Sequence, residues 1–422
     1  MTAARPLRVF LGAFGQPGHA FPMLALGAEL AARGHEVTYE TWGRWRSAVE
    51  GAGMRFVPAP EYPVFPTREQ PLPRPLGPYE AVVRATRDTR PTLVAARPDV
   101  VVHDVLTLAP ALAAELEGIP CATLIPHVYP VGQSGLPPYS LGARMPRTPA
   151  GARLWRAFDR PVGTALAHGR EQLNGARDQL GLAPVVRLHG GLSERLTLVG
   201  TLPALEYPRH WPSHVHVVGP LIWEPPAEDV VPPPGSEPLV LVAPSTAQDP
   251  SGRLLRAAVA GLADEPVRLL GVLNGRPPAG LSRLGPRTRL VNWLSYGRAM
   301  PDCALVICHA GHGTLVRALA CSCPVLAVPH VGDMAENAAR LVWAGAGLRL
   351  PWPLLSPVTL RLMTGRALTR SRLARRAAQL GAWAAAHSGP ARAADLLERL
   401  AGPGPWGAKG SLRARAEGPQ GR

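Results

Sequence analysis

Short apolar runs alternate along the chain with longer segments whose apolar residues recur at helical spacing. The first run, residues 7–11, has the length and composition of a buried parallel strand. A glycine-rich turn follows it, Pro22 suits the first turn of a helix, and residues 37–39 resume an extended pattern. This order of strand, turn, helix and strand predicts a βαβ unit.

The same alternation continues through most of the chain. It predicts further strands at residues 100–104, 121–125, 239–243, 267–272, 304–308 and 325–328. It predicts helices at residues 106–117, 252–262 and 313–320, and a helical, arginine-rich stretch at residues 357–400. Strands that alternate with helices indicate an α/β protein with parallel sheets covered by helices on both faces.

A proline-rich segment divides this pattern into two similar halves. Residues 223–235 contain five prolines, which neither a helix interior nor a central strand tolerates. We therefore predict two Rossmann-like domains, at residues 1–222 and 238–401, joined by a semi-rigid linker at residues 223–237. Residues 402–422, rich in glycine and proline, are predicted to be a disordered basic tail.

Composition excludes several kinds of chemistry. Lys409, in the predicted tail, is the only lysine among the 45 basic residues. The body of the chain therefore has no lysine for a Schiff base, for a P-loop or for a kinase-type phosphate clamp. The spacing of Cys303, Cys308, Cys321 and Cys323 does not fit the paired pattern of a structural zinc site, so we expect no metal there.

The formal net charge of +15 would ordinarily suggest a nucleic-acid partner. Arginine replaces lysine throughout the chain and aromatic residues are only 5%, so we interpret the charge as a compositional bias and expect no nucleic-acid partner. No apolar run is long enough to span a bilayer, and the N-terminus does not fit a signal peptide, so we expect a cytoplasmic protein without integral membrane association. The sequence does not indicate an oligomeric state.

The densest cluster of candidate functional residues is His309-Ala-Gly-His-Gly-Thr314, between a predicted strand and a predicted helix. Glycine lets backbone amides approach a ligand closely, and the positive end of a helix favours an anion such as a diphosphate. Nearby, Trp293 ends an extended run. Its ring could stack on a nucleobase, or it could be a half-buried core residue. Three polar residues follow a predicted strand, where they could bind the hydroxyl groups of a ligand: Asp333, Glu336 and Asn337. Asp333 could instead cap a helix.

Together these residues resemble the nucleotide-sugar-dependent glycosyltransferases of the two-domain GT-B fold, in particular bacterial natural-product enzymes of family 1. The resemblance covers most of the chain. It depends on five features of the sequence: Gly-His-Ala-Phe-Pro22, Arg33-Gly-His-Glu-Val37, Trp293, His309-Ala-Gly-His-Gly-Thr314, and Val328-Pro-His-Val-Gly-Asp333 with Asn337.

The resemblance implies a role for each matching residue. His19 would be the general base and Asp104 the acid that orients it. On the donor side, Trp293 would stack on uracil or thymine and Asp333 would bind sugar hydroxyls. The remaining donor-binding positions are Ser245, Thr246, His309, Gly311, His312, Gly313, Thr314 and Asn337. We expect a UDP- or dTDP-sugar as co-substrate, no obligatory metal, and inverting transfer to a hydroxyl of a small, hydrophobic acceptor.

Two positions depart from the family pattern. Relatives usually carry a glutamate for the ribose hydroxyls near Arg317, which could instead reach a phosphate, and the common Asp-Gln pair reads Asp333-Met334. Losing the glutamine amide leads to the hypothesis that the donor is a deoxysugar. His103 and His127 could border the acceptor site, whose loops we expect within residues 129–188. Two other functions stay open: a sugar-nucleotide epimerase or hydrolase of the same fold, and a non-catalytic binding protein.

Overall fold

The computed structural model describes residues 5–60, 78–245, 249, 251–275, 284–330 and 332–402 of the 422-residue chain. Thr246 and nearly all of the predicted basic tail lie outside these residues. Two parallel sheets, each covered by helices, organise the described chain. We call the seven-stranded sheet with its helices the first lobe and the six-stranded sheet with its helices the second lobe. The predicted fold class is confirmed.

The first lobe holds strands in the order β3-β2-β1-β4-β5-β6-β7. Its strands are β1 (Arg8–Gly12), β2 (Glu36–Thr41), β3 (Arg55–Pro58), β4 (Val100–Asp104), β5 (Cys121–Ile125), β6 (Thr197–Val199) and β7 (Val215–Val217). Its helices are α1 (Pro17–Ala32), α2 (Arg46–Gly51), α3 (Pro78–Ala96), α4 (Ala109–Leu116), α5 (Pro149–Arg156) and α6 (Asp159–Asp178). The central strands β1 and β4 are buried almost throughout, because helices cover both faces of the sheet.

The second lobe holds strands in the order β10-β9-β8-β11-β12-β13. Its strands are β8 (Leu239–Ala243), β9 (Arg268–Val272), β10 (Thr288–Val291), β11 (Leu305–Cys308), β12 (Val325–Ala327) and β13 (Gly347–Arg349). The helices that follow β8 in the chain are α7 (Arg253–Leu262), α8 (Tyr296–Ala299), α9 (His312–Ala320), α10 (Met334–Ala344), α11 (Pro357–Leu368), α12 (Ser371–Ala386) and α13 (Gly389–Ala401). Cys308 is fully buried on β11, as its apolar strand predicts.

Strand order explains where ligands can bind. In the first sheet the order of strand addition reverses between β1 and β4: β2 and β3 are added on one side of β1, and β4 to β7 on the other. In the second sheet the order of addition reverses between β8 and β11. Open parallel sheets bind ligands at the carboxyl ends of the strands at such a switch point. His19 lies in the segment that follows β1, and Asp104 is the last residue of β4. Ser245 and His309 lie in the segments that follow β8 and β11.

The last helix returns to the first lobe. Ala393, Leu397 and Leu400 of α13 are buried in the apolar core of the first lobe, although the sequence pattern groups this helix with the second. Arg33, at the end of α1, forms ion pairs with Asp395 and Glu398 of α13 at 2.7 and 3.0 Å. The chain therefore crosses between the lobes twice.

Apolar residues of the first lobe also extend the core of the second. Val128, Leu202 and Leu205 belong to the same buried cluster as Leu315 and Val316 of α9. The two lobes therefore share an apolar contact as well as two chain crossings. No helix within the described residues is long and apolar enough to cross a membrane.

Candidate active site between the two lobes

A histidine and a carboxylate meet at the switch point of the first sheet. His19 lies in the first turn of α1, which begins at Pro17. The prediction that Pro22 lies in the first turn of this helix is wrong. Pro17 occupies the first-turn position that proline favours, and Pro22 lies inside the helix. Nδ1 of His19 is 2.8 Å from Oδ1 of Asp104, the last residue of β4. A neutral imidazole therefore donates its Nδ1 proton to the carboxylate and leaves Nε2 as the basic nitrogen.

The carboxylate of Asp104 is fixed on both sides. Its side chain is fully buried. Its Oδ2 accepts hydrogen bonds from the backbone N–H of Leu106 at 3.1 Å and from the hydroxyl of Thr107 at 3.4 Å. The orientation of His19 is thus set by a carboxylate that is itself held by the turn after β4.

The environment of His19 raises its pKa above the ordinary value of 6.5. Burial is the largest influence and lowers the pKa, but the charge of Asp104, its hydrogen bond and the charge of Asp333 together outweigh it. Asp333 belongs to the second lobe, at the start of α10. The two lobes therefore bring the predicted base and a predicted donor-binding carboxylate within electrostatic reach of each other.

The loop between β11 and α9 is shaped by glycine. Nδ1 of His309 donates to the carbonyl of Ala243, at the end of the neighbouring strand β8, across 3.3 Å. A Cβ atom on Gly311 would lie 2.3 Å from Nε2 of His309, so only glycine leaves room for this ring. Beyond its own turn of helix, a Cβ atom on Gly313 would meet no atom of the described residues within 4 Å, so the first turn of α9 has an open face.

His312 is buried at the start of α9. Burial, and then the charge of His127, lower its pKa to about 4, against opposing effects from Asp333, Gly200 and Asn337. The backbone of Gly200 and the side chain of Asn337 are hydrogen-bonding neighbours of this ring, although among the described residues neither ring nitrogen makes a well-aligned hydrogen bond. The ring is therefore neutral at physiological pH and retains unused hydrogen-bonding capacity beside the first turn of the helix.

Asn337 braces the same loop. Its Nδ2 donates to the carbonyl of Ala310 and to Oδ2 of Asp333, both at 3.1 Å. Ala310 has a φ of 64°, in the left-handed region that residues other than glycine seldom adopt. The side chain of Asp333 makes no capping hydrogen bond to α10, so the alternative that it serves as a helix cap is not supported.

Trp293 is 46% exposed, which leaves about half of its surface open to a ligand, whereas its neighbour Leu294 is buried. Ser245 lies just after β8 and is partly buried. Met334 packs in the apolar core of the second lobe.

Two expectations from sequence need correction. Glu336 is 1% exposed and pairs at 2.8 Å with Arg340, so it does not present a carboxylate to sugar hydroxyls. Arg317 does not reach for a phosphate, because its Nη1 pairs at 2.9 Å with Glu224 of the proline-rich segment. The Glu336–Arg340 pair has the i,i+4 spacing that favours an ion pair on a helix, whereas no local pattern indicated the pair of Arg317 with Glu224.

His127 follows β5 and is a neighbour of the site. Burial is the main cause that lowers its pKa, and the charges of Asp333, His19 and Asp104 also act on it. The ring of Tyr139 stacks on it at 5.8 Å, a contact that no sequence pattern indicated. By contrast, His103 is a satisfied structural residue, with Nε2 2.7 Å from the hydroxyl of Thr123.

Comparison with known proteins finds similar sequences and structures over most of the chain. Residues 259–400 match the family model described as erythromycin biosynthesis protein CIII-like, C-terminal domain. The chain is 28% identical to 4'-demethylrebeccamycin synthase of Lentzea aerocolonigenes, over 93% of this chain and 99% of that protein. It is 29% identical to O-mycaminosyltylonolide 6-deoxyallosyltransferase of Streptomyces fradiae, over 94% of this chain and 98% of that one. The chain is a GT-B glycosyltransferase.

Solved structures share the fold of this glycosyltransferase. The glycosyltransferase of kitacinnamycin aligns with a TM-score of 0.74 and 24% identity, over 94% of this chain and 99% of that one. A spinosyn rhamnosyltransferase, solved in complex with thymidine diphosphate, aligns with a TM-score of 0.67 and 21% identity, over 94% of this chain and 100% of that one. The glycosyltransferase thus has the architecture of natural-product enzymes over nearly its whole length.

Proposed function

We propose that this glycosyltransferase moves a sugar, with inversion, from a UDP- or dTDP-sugar to a hydroxyl of a small, hydrophobic natural product. The observation that carries the proposal is the 2.8 Å contact between His19 and the buried Asp104, within electrostatic reach of Asp333 on the opposite lobe. A hydroxyl is a poor nucleophile until a base removes its proton, and a histidine that titrates near neutral pH suits that task.

The reaction needs one displacement. Nε2 of His19 takes the proton of the acceptor hydroxyl while the oxygen forms a bond to the anomeric carbon. The bond from that carbon to the diphosphate oxygen breaks, and the nucleoside diphosphate leaves with the electron pair. Asp104 holds the Nδ1 proton and stabilises the imidazolium that forms. Attack in line with the departing diphosphate inverts the configuration at the anomeric carbon.

The second lobe has groups suited to each part of the donor. Trp293 offers an exposed ring to the base, and the first turn of α9, with Gly311, Gly313 and Thr314, offers N–H groups and a positive helix end to the diphosphate. Nε2 of His309 is available as a further partner, since its Nδ1 is bound to Ala243. The thymidine diphosphate bound by the spinosyn rhamnosyltransferase supports this class of donor.

The first turn of α9 and Nε2 of His309 would stabilise the negative charge of the leaving diphosphate without an obligatory metal ion. Turnover should therefore survive an excess of EDTA. Loss of activity that Mg²⁺ restores would show that the proposed diphosphate site is incomplete.

We further propose a deoxysugar donor. Met334 packs in the core of the second lobe and offers no amide to a sugar hydroxyl, and the curated relative from Streptomyces fradiae is named for transfer of 6-deoxyallose. Competition between UDP-glucose and 6-deoxy donors tests this choice. Equal kcat/KM values for the two would leave the deoxysugar preference unsupported.

The deciding experiment incubates the enzyme with UDP- and dTDP-sugars and with macrolide, polyketide and flavonoid acceptors, and detects products by mass spectrometry. His19→Ala should lower turnover about 100- to 10,000-fold and leave nucleotide binding nearly intact. His210→Gln, which changes an exposed histidine outside the site, is the matched control.

Other results would favour the alternative functions. A donor that is epimerised or hydrolysed when no acceptor is present would indicate the epimerase or hydrolase. Nucleotide binding without transfer to any acceptor would indicate a non-catalytic binding protein. Unchanged turnover in His19→Ala would remove His19 from the role of base.

A further inference from the structure

Trp223 and Glu224 lie where the chain passes from the first lobe to the second. The ring of Trp223 packs edge-on against Phe21 of α1, with ring centroids 5.0 Å apart. Phe21 also packs against Trp45, at 4.9 Å, and is two residues from His19 on the same helix. Trp223 is therefore in contact with the helix that carries the proposed base.

Glu224 contacts the opposite lobe. Its Oε2 pairs with Nη1 of Arg317 at 2.9 Å, and Nη2 of Arg317 donates to the carbonyl of Trp223 at 3.0 Å. The side chains of Arg317 and Glu224 are 14% and 22% exposed. Arg317 belongs to α9, whose first turn is the proposed diphosphate site.

The same carboxylate also holds the segment after Trp293. The hydroxyl of Ser295 and the backbone N–H of Gly297 both donate to Glu224, the latter at 3.2 Å. A Cβ atom on Gly297 would lie 3.2 Å from Nη1 of Arg317, so the packing here is tight. Ser295 is two residues from Trp293, the proposed stacking partner of the base.

Two neighbouring residues thus touch α1, α9 and the Trp293 segment. We propose that Trp223 and Glu224 form an interlobe clamp, in which Glu224 is a positioning residue that sets the donor-binding elements in register with His19. The proposal depends on the proposed function for its catalytic consequence, although the contacts themselves do not. A salt bridge that only stabilises the fold would hold the lobes together without affecting donor affinity or the chemical step.

Glu224→Gln keeps the shape of the side chain but removes the charge that pairs with Arg317. We expect kcat/KM for the donor to fall about 10- to 100-fold, with kcat and donor KM both changed, because the base and the donor lose their register. The affinity for dTDP should fall as well. Arg317→Met together with Glu224→Gln should lose no more than Glu224→Gln alone, since the two residues act as a unit.

The matched control is Asp229→Asn in the same linker. Asp229 pairs with Arg298 of α8, which also follows Trp293, but both side chains are exposed, at 78% and 64%, and an exposed ion pair contributes little. This variant should keep the wild-type kcat, donor KM and dTDP affinity. Hydrogen exchange of the ligand-free variants, followed by mass spectrometry, should show faster exchange in α1 and α9 for Glu224→Gln only.

The outcomes separate the clamp from the proposed function. Wild-type kinetics and dTDP affinity in Glu224→Gln would overturn the clamp, even if the melting temperature fell. Additive losses in the double variant would also overturn it. If the wild type transferred no sugar, the proposed function would fail, and hydrogen exchange alone would test the clamp. Faster exchange in α1 and α9 of Glu224→Gln only would support the clamp. Equal exchange in Glu224→Gln and Asp229→Asn would overturn it.

Discussion

The two lobes contribute differently prepared groups to the same site. In the first lobe, His19 and Asp104 already bond to each other, and Asp104 is bonded by Leu106 and Thr107 as well. In the second lobe, the ring nitrogens of His312 make no well-aligned hydrogen bond to the described residues, and Trp293 is 46% exposed. The protein alone sets the geometry of the proposed base, whereas the donor-binding groups keep their capacity for a ligand.

Backbone geometry shows the same contrast. The base is carried by an ordinary helical turn, but the donor loop contains Ala310 at a φ of 64°. Such a conformation costs of the order of 1–3 kcal/mol and persists only where its surroundings enforce it. Asn337 supplies that enforcement through its hydrogen bond to the Ala310 carbonyl. The donor loop therefore carries backbone strain at Ala310, whereas the helical turn that carries His19 does not.

The largest effect should come from breaking the prepared pair with Asp104→Asn. Because the backbone N–H of Leu106 donates to Oδ2, the carboxamide oxygen belongs there and its NH₂ group would face His19. Nδ1 must then accept, which places the proton on Nε2 and blocks the base. We expect kcat to fall about a hundredfold or more, as measured under saturating donor and acceptor.

The pH profile of the same variant sharpens the test. The raised pKa of His19 means that wild-type kcat/KM falls as the pH drops through a value above 6.5, where the base becomes protonated. Asp104→Asn removes two effects that raise this pKa and leaves burial, which lowers it. The acid limb of the residual activity should therefore move to lower pH. An unmoved limb would mean that another group titrates.

A smaller effect should follow Trp293→Ala, which tests the second lobe. Stacking of a base on an aromatic ring is worth about 1–3 kcal/mol, so the Kd for dTDP should rise about 5- to 150-fold. Since the ring is 46% exposed, the melting temperature should hardly change. Calorimetric titration measures the affinity, with Trp155→Ala on α5 as control. Equal affinities for both variants would remove Trp293 from the donor site.

The sequence predicted the sheets better than the site. Strands β4, β5 and β8 match their apolar runs, because a strand buried on both faces is apolar throughout. The pairing of Arg317 with the Trp223 carbonyl joins residues 94 apart, and that of Arg340 with Glu206 joins residues 134 apart. Nothing local marks such partners. Glu336 was expected to face a ligand but is buried, because its i,i+4 partner Arg340 also pairs with the distant Glu206.

The smallest expected effect is on dTDP affinity in Gly313→Ala, a substitution that should not lower stability. Gly313→Ala adds a methyl group that meets no atom of the described protein within 4 Å beyond its own turn of helix, and it improves helix propensity by about 0.5–1 kcal/mol. The variant should be as stable as the wild type or slightly more so, yet bind dTDP several-fold more weakly, because the methyl group lies where the diphosphate approaches.

Gly365→Ala is the matched control for this last prediction. Gly365 is an exposed glycine of α11, and a Cβ atom there also meets no atom of the described residues within 4 Å. Both variants should gain similar stability in thermal unfolding, and only Gly313→Ala should lose affinity in calorimetric titration. If both bound dTDP like the wild type, the open face of α9 would not be where the diphosphate binds. The diphosphate would then have to bind to other groups of the second lobe.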